Sequence, residues 1–190
     1  MIKNTELIKT TEKWKRFNWF PQLLVMTVGL FVILSSTYVI YRGLIIYQQY
    51  FPLINASMEM RLDATTSYLW FEEMLGGDKT KDLNDILKNL DRADWYAQAM
   101  VDGGENFYVK LLPLKEPTLH DAIIDLKKQL IKQRELLEIR LNETDYSGPG
   151  SDIDKIYHST LERFIFDSKI FEIRVKDLIY ENFKVFKFIS

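Results

Sequence analysis

The sequence predicts an all-α protein: an N-terminal transmembrane helix that continues into an antiparallel, up-down-up-down four-helix bundle. Three observations carry that expectation. A charge-free run separates Arg16 from Arg42. Beyond it, apolar residues recur at three- and four-residue spacing almost to the C-terminus, the rhythm of helices with one covered face. The breaks in that rhythm fall where glycine and proline cluster.

The first element is the span, Phe20 to Tyr41, with the sequence FPQLLVMTVGLFVILSSTYVIY. At about 1.5 Å per residue it reaches roughly 33 Å, enough to cross a hydrocarbon core of about 30 Å. Lys3, Lys9, Lys13, Lys15 and Arg16 precede it against Glu6 and Glu12, whereas only Arg42 follows directly. Basic residues beside a span are retained in the cytoplasm, so the N-terminus is expected inside and the following domain outside the inner (cytoplasmic) membrane. Trp14 and Trp19 on one side, and Tyr38, Tyr41 and Tyr47 on the other, suit the two headgroup regions. The run exceeds the apolar core of about 7 to 15 residues of a cleaved signal peptide and has Tyr41-Arg42 at its end, so it reads as an uncleaved signal-anchor.

This divides the chain into a basic cytoplasmic tail (1–19), a single span (20–41), an extracytoplasmic domain (43–183) and a short apolar ending (184–190). The first helix is expected to run on to Leu75, with Tyr47, Phe51, Ile54, Met58, Leu62, Thr65 and Leu69 as its core seam. Gly76-Gly77 ends it. A second helix, from about Thr80 to Asp102, carries Leu83, Leu87, Leu90, Ala93, Ala97 and Met100 before Gly103-Gly104. Thr118-x-x-Asp121 after Pro117 reads as a capping box opening a third helix, with Ile123, Leu126, Leu130, Leu137 and Leu141 on its covered face. Ser147-Gly148-Pro149-Gly150 breaks the chain again, and Ser151-x-x-Asp154 caps a fourth helix with Ile153, Tyr157, Leu161, Phe164, Phe171, Val175 and Leu178 inward. Phe107 to Leu112 is expected to hold at most a short extended stretch. Short connections make neighbouring helices antiparallel, so the fourth helix returns toward the membrane. Its apolar ending, Phe183 to Ser190, reads as the approach to a second span and cytoplasmic output that lie beyond this sequence.

Residues 43–190 hold 19 of the 25 basic and 25 of the 27 acidic residues. An acidic domain without a concentrated basic face argues against nucleic acid as a partner. There is no cysteine, hence no disulfide, thiolate nucleophile or thiolate metal site. His120 and His158 fall at opposite ends of the expected bundle and lack the Glu-x-x-His spacing of a di-iron site. No Gly-x-Ser-x-Gly, phosphate loop or haem-attachment motif occurs. The chain therefore reads as a non-enzyme without a cofactor.

Polar residues on the expected seam are the remaining candidates for a ligand site. Arg61, Thr65 and Glu72 lie on or beside the apolar face of the first helix, and Arg134 and Arg140 border that of the third. A buried guanidinium needs a carboxylate or phosphate, so these residues outline either a pocket for a small anion or a set of internal ion pairs and snorkelling side chains. Trp70 and Trp95 lead two aromatic groups that serve either as core packing or as a ligand cage.

The motifs Leu69-Trp70-Phe71-Glu72-Glu73, Asp94-Trp95-Tyr96-Ala97-Gln98-Ala99-Met100, Gly103-Gly104-Glu105 and Gly150-Ser151-Asp152-Ile153-Asp154, behind a signal-anchor, carry a resemblance. The chain resembles the N-terminal sensor region of bacterial transmembrane signalling proteins, namely sensor histidine kinases, chemoreceptors and diguanylate cyclases with four-helix ligand-binding domains. The resemblance implies an extracytoplasmic sensory domain that pairs as a homodimer, with a separate signalling partner supplying the absent output. A single-span helical scaffold that presents a binding surface in the cell envelope is the alternative.

Overall fold

Glycines, prolines and capping carboxylates set the ends of the helices. In the computed structural model, which describes residues 19–142 and 150–184, α1 runs from Trp19 to Leu75, α2 from Leu83 to Asp102, α3 from Pro117 to Asn142 and α4 from Asp152 to Lys184. The chain is all-α, with four helices packed against one another. All but the last residue of the expected cytoplasmic tail (1–18), the third connection over 143–149 and the ending over 185–190 lie outside the described residues.

At the end of α1 the amides of Gly76, Gly77 and Asp78 donate to the carbonyls of Glu72, Met74 and Glu73, with Gly77 at φ +97°. These bonds satisfy carbonyls that the helix itself leaves open. The Asp82 side chain accepts from the Asn84 amide to open α2, three residues later than the sequence pattern suggests. At α3 the expected Thr118 capping box gives way to Glu116, whose Oε2 accepts from the Leu119 amide and the Thr118 hydroxyl. Pro117 is then the first helical residue, where its missing N–H costs nothing. At α4 the Ser151 box forms: Ser151 Oγ accepts from the Asp154 amide, and Asp154 accepts in turn from the Gly150 amide. Between α2 and α3, β1 (Gly104–Glu105) and β2 (Lys110–Leu111) pair antiparallel around a turn whose Asn106 side chain accepts from the amides of Tyr108 and Val109. Extended structure is thus shorter than the Phe107 to Leu112 stretch of the sequence reading.

The chain divides into two units, Met1–Ile45 and Ile46–Ser190. In the first, the most apolar 18-residue window of α1 has a mean hydropathy of 2.3 and none of it is buried. By length and composition this helix can cross a membrane. Three of its hydroxyls bond carbonyls of the preceding turn, Thr27 to Leu23 and Leu24, Ser35 to Val32 and Thr37 to Ile33. An apolar surrounding would otherwise leave those three polar hydrogens stranded.

In the second unit, cross-helix bonds define antiparallel neighbours. Asp63 and Ser67 of α1 meet Arg92 and Ile86 of α2. Asp91 and Gln98 of α2 meet Arg134 and Lys127 of α3. Gln129 and Arg140 of α3 meet Asp167 and Asp154 of α4, while Ser57 and Tyr68 of α1 meet Ser168 and His158 of α4. The apolar core falls into two clusters. One contains Leu53, Met60, Ala64, Ala97, Ile123, Phe164 and Phe171; the other contains Phe71, Ile86, Leu90, Leu137 and Tyr157. Buried Ser67 on α1 and Gln133 on α3 stand at the break between them.

The inward faces of α3 and α4 follow the sequence pattern closely, with Ile123, Leu126, Leu130, Leu137, Tyr157, Leu161, Phe164, Phe171 and Val175 all buried. Helix α1 does not. Its covered face is Leu53, Ala56, Ser57, Met60, Asp63, Ala64, Ser67 and Phe71, whereas Tyr47, Phe51, Met58, Leu62 and Leu69 of the expected seam are exposed. Small side chains make up much of this face, and the larger apolar residues of the expected seam are left on the opposite side. Periodicity locates an apolar stripe but not the side that is covered.

Candidate functional site

Arg140 is the largest fully buried side chain in the second unit and joins three helices. One guanidinium nitrogen bonds Glu72 of α1, and the other reaches Asp154 of α4 at 3.0 Å. Its carbon lies 5.3 Å from the Phe71 ring centroid and 5.4 Å from that of Tyr157, within cation–π range. Tyr157 in turn meets Phe71 edge-on at 5.8 Å. Burial, and then the nearby Glu72 charge, push the Tyr157 phenol well above its ordinary value. The phenol therefore stays neutral, and it is its ring that meets the guanidinium.

The structure brings Glu72 and Arg140 together and separates the other candidates. Arg61 bonds Glu172 at 2.5 Å and Ser168 Oγ at 3.4 Å, between α1 and α4. Arg134 bonds Asp91 at 2.5 Å, between α3 and α2. Thr65 is half-buried on α1. The Trp70 ring lies 4.8 Å beneath the Lys81 ammonium, and Trp95 packs edge-on to Tyr96 at 5.1 Å. These residues do not share one pocket; each of the three arginines holds a carboxylate. Among the histidines, His158 bonds the Tyr68 hydroxyl through Nδ1 at 3.0 Å and lies 3.3 Å from Glu162 through Nε2. His120 lies 3.7 Å from Asp121.

A second buried carboxylate, Asp63, escaped the sequence reading because it occupies a seam position only once α1 is turned as observed. Arg92 grips it with two bonds, of 2.5 and 3.2 Å. Burial still outweighs that grip, so the Asp63 carboxyl is held above its ordinary value of 3.8. A raised folded-state pKa means that the folded chain binds this proton more tightly than the unfolded chain. The resulting stabilisation is complete below 3.8 and disappears as pH rises through the folded value. Compared with an Asp63→Asn variant, the wild-type chain is therefore expected to gain stability on acidification through that window. Thermal melts of both chains from about pH 7 to pH 3.5 measure it; a constant difference in Tm would contradict it. Glu116, lowered by the Thr118 hydroxyl bond, acts in the opposite sense in both chains and cancels in the comparison.

Three buried side-chain atoms have no hydrogen-bond partner among the described residues: Asn89 Nδ2, Gln129 Oε1 and Gln133 Nε2. The first two orientations are dictated by chemistry, since Asn89 Oδ1 accepts from Arg92 and Gln129 Nε2 donates to the Asp167 carboxylate. Two surface grooves flank α3. The one toward α2, about 400 Å³, is lined by Leu90, Asp91, Asp94, Lys127, Leu130, Ile131 and Arg134, and its two cations are matched by two carboxylates. The one toward α4, about 290 Å³, is lined by Lys128, Gln129, Lys132, Ser159, Thr160 and Arg163, with no carboxylate in its wall. Its three cations pair with Asp125, Glu135 and Asp167, the last of which also accepts from Gln129 of the wall. Exposed pairs of that kind contribute about 0 to 1 kcal/mol and are easily redirected to an incoming anion. The signal was present in the sequence: Lys128 and Lys132 are one turn apart, as are Ser159 and Arg163, so each pair shares a helix face.

No family model, curated protein or solved structure matches this chain.

Proposed function

We propose that the chain is a membrane-anchored, extracytoplasmic sensory domain of a bacterial signal-transduction receptor, and that its ligand is a small multivalent anion. In this reading residues 20–41 cross the inner membrane once, with the basic N-terminus in the cytoplasm. Residues 43–183 form an antiparallel four-helix bundle outside. The observation that supports it is α1, a single unbroken helix from Trp19 to Leu75 that is apolar and uncovered at its start and part of the packed four-helix unit from Ile46 onward. A ligand that prefers one of two packings of the helices shifts the population toward it, and a continuous helix carries such a shift along its axis.

The groove between α3 and α4 is the best-suited ligand site, because Lys128, Lys132 and Arg163 converge there without an opposing carboxylate in the wall. Arg61, Arg134 and Arg140 are less suited, because their ion pairs are more deeply covered than the exposed pairs of Lys128, Lys132 and Arg163. The test uses the full chain in detergent, melted with and without citrate or inorganic phosphate. A ligand at about 100 times its dissociation constant adds roughly 2.7 kcal/mol, a readily measured rise in Tm. The rise is expected to vanish in a Lys132→Glu, Arg163→Glu double variant. Orientation is read in whole cells with a membrane-impermeant maleimide, which is expected to label Asp85→Cys and to spare Asn4→Cys. An absence of any anion-dependent shift, with Asp85→Cys labelled, favours the anchored scaffold over the sensor.

A further inference from the structure

Among the described residues, the most exposed large apolar side chains are Phe107 at 94 % and Tyr108 at 87 %, side by side at the tip of the β1–β2 hairpin. The turn that holds them is closed on itself. The Asn106 amide donates to the Val109 carbonyl, and the Asn106 side chain accepts from the amides of Tyr108 and Val109, each at 2.9 Å. Glu105 and Lys110 pair at 2.8 Å below the turn, and no charge lies between them. Gly103 and Gly104 seat the hairpin, since a side chain at either would collide with Pro113 or Ala99. Within the second unit Ser57 meets Ser168, Asp63 meets Arg92 and Gln98 meets Lys127. That order places the entry of α1, the end of α2, the hairpin and the end of α4 at one end of the bundle. Exposed aromatic rings collect there: Tyr47, Phe51, Phe107, Tyr108, Tyr180 and Phe183. Phe166, midway along α4, is the one other exposed ring among the described residues of this unit.

We propose that the hairpin tip is a second membrane contact, with Phe107 and Tyr108 seated in the headgroup layer of the leaflet from which α1 emerges. The proposal rests on the reading of residues 20–41 as a span. With that span in place, α1 enters this end of the bundle directly from the lipid. Aromatic rings with an apolar body and a wet edge favour the headgroup layer. A low-polarity surrounding penalises unbonded amides and bare charges. At the tip the amides of Asn106, Tyr108 and Val109 are bonded within the turn, and the flanking charges pair with each other. The convex form decides the occupant. Two protruding rings fit a fluid layer that opens around them, whereas a protein partner needs a matching cavity and a second copy offers only the same protrusion. Such a contact holds the bundle at two points, which restricts its tilt about α1.

The chain has no native cysteine, so a fluorophore on a single introduced cysteine reports depth. In phosphatidylcholine nanodiscs holding the full chain, nitrobenzoxadiazole on Tyr108→Cys is expected to show blue-shifted emission and to resist quenching by aqueous iodide. It is also expected to lose intensity to lipids bearing a nitroxide near the headgroup end of the acyl chain. The same label on Lys79→Cys, exposed at the opposite end of the bundle, is expected to show the reverse. Adding Phe107→Asp to Tyr108→Cys is expected to abolish the lipid quenching and restore iodide access; both positions are exposed, so the fold is kept. Unchanged lipid quenching in that double variant would overturn the proposal, because the contact would then belong to the dye. A Tyr108→Cys label open to iodide and blind to the nitroxide lipid would overturn it outright. A label shielded from iodide yet blind to the lipid would overturn it in favour of a protein cover. Leu30→Cys, within the apolar run and probed by a nitroxide deep in the acyl chain, separates this failure from that of the anchor reading. Lipid quenching at Leu30→Cys with an aqueous Tyr108→Cys leaves the span standing and removes only the hairpin contact; no lipid quenching at Leu30→Cys removes both.

Discussion

Replacing Arg140 by methionine is expected to lower the unfolding free energy by about 3 to 5 kcal/mol, the largest effect of any single polar substitution in the chain. The guanidinium is completely buried, and it holds Glu72 and Asp154, both of which are themselves mostly covered. Removing the cation leaves two neighbouring carboxylates without compensation, from two different helices. Methionine retains the aliphatic bulk against Phe71 and Tyr157, so the loss isolates charge and hydrogen bonding from packing. Arg140→Lys is expected to recover only part of it, because an ammonium cannot span two carboxylates with a planar fork. Glu72→Gln should cost less, since Asp154 remains to pair with the arginine. Urea unfolding of the full chain in detergent, followed by far-UV circular dichroism, measures all three. An Arg140→Met variant within about 1 kcal/mol of wild type would show that the buried network adds no net stability, as occurs for some buried ion pairs.

Phe164→Ala is expected to cost about 3 to 5 kcal/mol, from lost apolar transfer and the cavity left behind. Phe164 is fully buried in the larger core cluster, among side chains from the other helices. Phe164→Leu, which keeps most of the volume, should cost less than about 1.5 kcal/mol. The same truncation two residues away, Phe166→Ala, should fall within about 0.5 kcal/mol, because that ring is exposed on the outer side of α4. Equal losses at the two positions would show that the outer side of α4 is covered as well.

Much of the helical layout was legible in the sequence because helix ends are local. Gly76-Gly77, Gly103-Gly104, Pro117 and Ser151-x-x-Asp154 act on hydrogen bonds within a few residues, and each marks a helix end within three residues of its observed place. The covered faces of α3 and α4 were legible for a similar reason: one strongly apolar side leaves no competing choice. Helix α1 offered two candidate faces. One is rich in Leu, Met and Phe; the other mixes small residues with Leu53, Met60 and Phe71, and packing selected the second. Helical periodicity cannot decide between them, because the decision depends on contacts with the other helices, such as those of Ser57, Asp63 and Ser67.

The candidate site divides in the same way. Sequence alone identified Arg61, Arg134 and Arg140 as guanidinium groups in need of anionic partners, since burying a charge without one is costly wherever it occurs. It paired none of them reliably, because partners such as Glu172, Asp91 and Asp154 lie far away along the chain. It also passed over Lys128, Lys132 and Arg163, which are unremarkable on their own helices and form a cationic groove only when α3 and α4 are side by side. The sequence by itself thus determined the all-α class, the apolar N-terminal helix and the helix ends, all set by interactions within a few turns. Only the tertiary structure decided which face of α1 is covered, which acid meets which arginine and where loosely held cations gather, because those outcomes depend on contacts between residues dozens of positions apart.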